Sequence, residues 1–183
     1  MIYSKLPAFV LGFHGCEEDL KNQLLLGKSE LKYSRNEYDW LGHGIYFWEN
    51  DPVRAMEWAK QNKKKPAVIG AVIDLGVCLN LFDRENLKLV KSSFKYLENS
   101  GMILPENKGK NMRERYLDCL VINNLVEFRK NDENCANFDT VRAPFWEGDE
   151  LYSGAGFKEK NHVQICVLNE DCIKGYFSPR GLF

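Results

Sequence analysis

The chain lacks most of the features that would place it in a familiar class. Its 183 residues include six cysteines, yet Cys16, Cys78, Cys119, Cys135, Cys166 and Cys172 form no C-x-x-C pair and none has a His at finger-like spacing. No apolar run approaches the ~20 residues needed to span a bilayer, and Met1 to Gly12 does not follow a signal-peptide pattern. Neither sign of charge dominates: 25 Lys and Arg face 26 Asp and Glu, a net charge of −1. That balance argues against a basic nucleic-acid face covering the whole molecule, and the local run Lys63-Lys64-Lys65 reads as a solvated loop. Internal repeats, low-complexity blocks and a phosphate-binding loop ending in Gly-Lys-Ser/Thr are all missing. Gly154-Ala155-Gly156 starts like a dinucleotide fingerprint, but Glu159 stands where the third glycine belongs and a strand follows. The expectations are reduced cysteines, no metal site, no membrane segment and a cytoplasmic location.

What is present suffices for one domain, residues 1–183, with a full core: 44% hydrophobic and 28% charged residues. Ala8 to Phe13 predicts a first strand, and Glu17 to Leu26 a helix with acidic residues in its first turn and Gly27 as its stop. Ser29 to Gly42 has no periodicity and reads as a loop. Ile45 to Trp48 predicts a short strand. A helix follows it, capped by Asp51, with Pro52 at its first position and Val53, Met56 and Ala59 turned inward. Ala67 to Leu75 reads as a strand buried on both faces. Helices are predicted at Arg84 to Asn99 and Met112 to Arg129, the latter with Tyr116, Leu120 and Asn124 on one stripe. Pro105 to Asn111 resembles a linker. Late strands at Asp139 to Phe145 and Val163 to Leu168 flank an aromatic, acidic, Gly-rich loop. Strands with inserted helices, rather than strict alternation, give an α+β class.

Three fragments carry the chemistry: Phe13-His14-Gly15-Cys16, Gly42-His43-Gly44-Ile45-Tyr46-Phe47 and His162-Val163-Gln164-Ile165-Cys166-Val167. Each delivers a polar side chain on an apolar strand, where it needs a partner or a ligand. His14 reads either as a satisfied core histidine or, beside Gly15, as a group where a ligand nears the backbone. Tyr46 reads as core between aromatic neighbours or as a ring-stacking surface. Gln164 can bond to neighbouring backbone or to a ligand. A Cys16–His14 nucleophile pair finds no orienting third group.

Taken in order, these fragments resemble the ADP-ribosyltransferase superfamily, in the branch of poly(ADP-ribose) polymerases and diphtheria toxin. Its first strand carries His-Gly, its second Gly-x-Gly-Ile-Tyr-Phe, and its late strand usually a Glu. The resemblance implies a split two-sheet β core with inserted and flanking helices. It also implies that His14, Tyr46 and Gln164 form the catalytic set, and that NAD is held by His14, Gly15, Arg35, Tyr46, Phe47 and Trp58. Trp146, Glu147, Asp149, Glu150 and Tyr152 fall in the family's target-recognition loop. Gln164 stands in place of the Glu; an amide cannot take a proton from an acceptor, so single-unit transfer is expected rather than chain elongation. Compact members are bacterial toxins or antiviral defence enzymes acting on protein or nucleic acid. A toxin implies a neutralising antitoxin partner. The alternatives are a binding module without transfer activity and an NAD glycohydrolase.

Overall fold

The computed structural model describes residues 9–109 and 114–181. Among these residues, seven strands are formed by Phe9–Glu17 (β1), Ile45–Glu49 (β2), Pro66–Asp74 (β3), Cys78–Asn80 (β4), Thr140–Phe145 (β5), His162–Val167 (β6) and Ile173–Phe177 (β7). The helices are Glu18–Leu25 (α1), Pro52–Asn62 (α2), Arg84–Asn99 (α3) and Tyr116–Lys130 (α4). The α+β class is as expected. The strands form one mixed sheet in the order β4-β5-β6-β2-β1-β3-β7, in which β4–β5 is parallel and the other pairs antiparallel. The expected split into two sheets is therefore corrected: Gly12 and Phe13 pair with Glu49 and Trp48 and bind the two groups of strands into one.

Alternation along the strands assigns the two faces. Val10, Ile45, Phe47, Ile69, Ile73, Ile165 and Val167 pack on one face with Leu24 of α1 and with Leu31. On the other face α4 sets Ile122, Leu125 and Val126 against Val141, Ala143 and Cys166, while α2 sets Ala55, Met56 and Ala59 against Phe13, Trp48 and Val68. Two helices thus cover different strands of the same face.

The predicted cap holds: Asp51 accepts the Arg54 N–H at 2.8 Å, and Pro52 opens α2. Val53 is corrected from inward to exposed, because the core stripe of α2 runs through Ala55, Met56 and Ala59. The first strand runs past its expected end at Phe13 to Glu17, so Cys16 is a buried strand residue. β3 pairs with β1 as far as Glu17↔Pro66, and the Glu17 carboxylate accepts the N–H groups of Lys64 and Lys65 at 2.9 Å each. The stripe of α4 is also corrected: Cys119, Val121, Ile122, Leu125 and Val126 are buried, and Tyr116, Leu120 and Asn124 lie at its margin. Asn107, in the expected linker, accepts from the N–H groups of Leu117 and Asp118 and so caps α4. Ala8, Lys110, Asn111 and Met112, where the first strand, the linker end and the fourth helix were placed, lie outside the described residues. Among the described residues, no helix is long and apolar enough to cross a membrane.

Candidate functional site at the seam between β1 and β2

β1 and β2 pair only at Gly12↔Glu49 and Phe13↔Trp48, next to which the Asn50 N–H donates to the Leu11 carbonyl at 2.9 Å. In an antiparallel strand the N–H and C=O of a residue point the same way and alternate along the chain. Leu11, Phe13 and Gly15 therefore aim their backbone groups at β2, but the pairing ends before Gly15. The Tyr46 carbonyl, next in register for Gly15, instead accepts from His14 Nδ1 at 2.8 Å. That bond places the proton on Nδ1 and leaves Nε2 as the acceptor. Burial lowers the His14 pKa, so the ring is neutral near pH 7; it stands edge-on to the fully buried Phe47 at 5.8 Å.

Tyr46 and Gln164 emerge on the opposite face from His14, which reaches the Tyr46 backbone carbonyl across the seam. The Tyr46 hydroxyl donates to the Gly42 carbonyl at 2.8 Å and accepts from the Leu41 N–H at 2.9 Å, so the tyrosine pins the loop before β2. Burial pushes its pKa well up. Gln164, paired across from Trp48, accepts from Trp40 Nε1 at 2.7 Å, and its amide nitrogen lies 3.1 Å from His162 Nε2. His162 Nδ1 donates to the Lys160 carbonyl at 2.7 Å, so Nε2 is the acceptor and the Gln164 amide is oriented at both ends. Burial lowers the His162 pKa, opposed by the Lys160 carbonyl and Glu147. Trp40 and His162 are members of this chain that the sequence reading missed. His162 was visible as the residue two before Gln164 on the same strand face; Trp40 had no such signal.

Gly15 faces α2. A Cβ built there would lie 2.5 Å from the Ala55 carbonyl oxygen and 3.1 Å from Trp58 Cε3, so close helix packing alone requires the glycine. The same contact sets Trp58 beside Gly15, where it leans on Trp48 at 6.1 Å and carries Lys63 over its ring at 5.2 Å. Arg54 sits 5.6 Å over Trp48 and forms a two-bond pair with Glu147, Nε to Oε2 at 2.9 Å and Nη2 to Oε1 at 2.7 Å. Among the described residues, Trp48 Nε1 and Arg54 Nη1 are buried donors without a hydrogen-bond acceptor, with Arg54 Nη1 4.0 Å from the Glu57 carboxylate. Such groups carry a desolvation cost.

The aromatic loop is pinned to α2 by Arg54–Glu147 and by Lys160–Glu57 at 2.9 Å. Its own ladder pairs Glu150 with Lys158 and runs Glu159 N–H to the Asp149 carbonyl and Lys160 N–H to the Glu147 carbonyl. The loop holds Trp146, Leu151, Tyr152 and Phe157 in solvent, each more than half exposed. Arg35 is placed apart from the seam, exposed at the rim of an open recess with Leu31, Tyr33 and Glu170. The structure thus brings Gly15, Trp58, Trp48 and Arg54 together, and joins them through the Trp48–His162 ring contact at 6.4 Å to His162, Gln164, Trp40 and Tyr46. No family model, curated protein or solved structure matches this chain.

Proposed function

We propose that this chain is an NAD-dependent mono-ADP-ribosyltransferase of the superfamily its three fragments resemble, with the β1–β2 seam as its nicotinamide end. The observation that carries the reading is the ladder break at Gly15. A strand residue whose backbone donor and acceptor face an unpaired edge beside an indole suits a flat ring bearing a carboxamide. Tyr46 and Trp58 would flank that ring, and His14 Nε2 would accept from a ribose hydroxyl. NAD supplies a glycosidic bond whose cleavage creates cationic character at the ribose carbon. The protein then needs positioning and electrostatic support more than a strong nucleophile. Gln164, held at both ends, fixes position and provides no base. Activation of the acceptor falls to the acceptor itself or to the acidic loop, where Asp149 and Glu150 are exposed.

The acceptor we favour is nucleic acid, and RNA in particular. The loop offers the exposed Trp146, Tyr152 and Phe157 as stacking surfaces, with Lys158 next to Phe157 and 4.0 Å from Glu150. A cytoplasmic toxin or antiviral effector, neutralised by an antitoxin, is the corresponding role. The protein is incubated with labelled NAD and cell lysate, and the products are treated with nuclease or protease. Release of nicotinamide with nuclease-sensitive label is expected, and the absence of both overturns the enzyme reading. A second reading, a binding module without transfer, is favoured by one fact: both ends of the Gln164 amide are already engaged. Calorimetry distinguishes it as NAD binding without nicotinamide release, and free ADP-ribose without labelled macromolecule identifies a glycohydrolase.

A further inference from the structure

We propose that the cleft between α3, α4 and Trp40 binds a small carboxylate with an apolar body. The cleft has a volume of about 410 Å³, within the size range of ordinary ligand sites. Leu87, Val90 and Phe94 of α3 and Val121 and Ile122 of α4 give it apolar walls. One end is different. Arg115 lies there with its guanidinium 5.5 Å from the Trp40 ring and 5.2 Å from the Phe145 ring. Among the described residues, its single carboxylate contact is Nη1 to Asp118 at 3.2 Å, Nε is buried without an acceptor, and none bonds Nη2.

The charged groups facing the cleft are Arg115, Lys91 and Asp118, so it carries an excess of one positive charge at an otherwise apolar site. A guanidinium braced on two aromatic faces is pre-oriented and incompletely bonded, which is the arrangement that recognises a planar carboxylate. A neutral apolar molecule would fill the walls and leave Arg115 as it is. A highly charged one would lose its hydration against Leu87, Val90 and Phe94. The combination selects an amphipathic monoanion, and this inference does not depend on the seam or on NAD. It does reach the seam, because the Trp40 indole that closes the cleft donates to Gln164.

The probes are 2-naphthoate and its neutral counterpart 2-naphthamide, titrated into the full chain by calorimetry while the four indole N–H resonances are followed. Single-site binding of 2-naphthoate, at least tenfold tighter than 2-naphthamide and shifting the Trp40 indole resonance, is expected. Arg115→Gln should remove that preference while leaving weak apolar binding, and Val90→Trp should remove both. Equal affinities for the two probes on the wild-type protein, no saturable binding, or an unchanged preference in Arg115→Gln would each overturn the proposal. The wild-type comparison needs no variant and stands even if Val90→Trp fails to fold.

Discussion

Removal of Glu147 should be the most damaging single change in the loop, and the structure sets the size of the effect. The Arg54 and Glu147 side chains are only 11% and 13% exposed, and two bonds of 2.9 and 2.7 Å join them. Glu147→Ala leaves a mostly buried guanidinium whose Nη1 has no hydrogen-bond acceptor among the described residues and whose remaining carboxylate neighbour, Glu57, is 4.0 Å away and partly exposed. Breaking a buried pair from one side costs about 3–5 kcal/mol, and the residual exposure here places the change near the lower figure, about 3 kcal/mol. For a domain of this length, 1 kcal/mol moves the melting temperature by roughly 2–4 °C, so a fall of roughly 6–12 °C is expected by scanning calorimetry. Arg54→Met combined with Glu147→Leu removes both charges and should lie within about 1 kcal/mol of wild type. A fall of less than about 3 °C in the single variant, or a double variant as unstable as the single, would refute the account of the pair as a buried, mutually required unit.

Three further outcomes follow from the same geometry. Gly15→Ala and Gly12→Ala should each cost about 1–3 kcal/mol, because a Cβ at Gly15 meets the Ala55 backbone carbonyl and one at Gly12 meets Ile73 and the Cβ of fully buried Phe47; an unchanged urea midpoint in either variant would discredit this. In Gln164→Glu, a carboxylate faces the acceptor nitrogen of His162. The variant should be about 1–3 kcal/mol less stable than wild type at pH 8 and recover as His162 gains a proton towards pH 6; a deficit independent of pH would refute the tautomer assigned to His162. In the wild type, burial depresses the pKa of His14 and of His162, so below about pH 6.5 the unfolded chain binds protons that the folded chain refuses. Stability should fall from pH 7 to 5.5 by up to about 1.4 kcal/mol per pH unit for each ring, and ring resonances titrating at or above pH 6.5 would contradict this.

The strands with continuous apolar runs were legible because their burial is written in each residue, as in Ala67 to Leu75. The missed elements depend on distant partners. Cys78–Asn80 becomes β4 only by lying parallel to Thr140–Arg142, and Cys16 remains on its strand only because β3 continues beside it. In α4, hydrophobic residues occupy more than one helical face, so the stripe read from the sequence, Tyr116, Leu120 and Asn124, is not the one the sheet buries. At the site, His14, Gly15, Tyr46 and Gln164 stood out as polar or small groups on apolar strands. Their bonding did not, since Trp40 reaches Gln164 from 124 residues away and Arg54 reaches Glu147 from 93.

The short pairing between β1 and β2 also has a mechanical side. The sheet consists of two stiff plates, β1-β3-β7 and β4-β5-β6-β2, fastened edge to edge at two residue pairs, whereas β1 and β3 are fastened at nine. Force applied across the strands concentrates at that fastening, and α2, resting on both Phe13 and Trp48, is the strap laid over it. The Phe13 and Trp48 amides should therefore exchange with solvent before those at the centre of β3. A molecule lodged beside Gly15 would act as a rivet, turning two hinged plates into one.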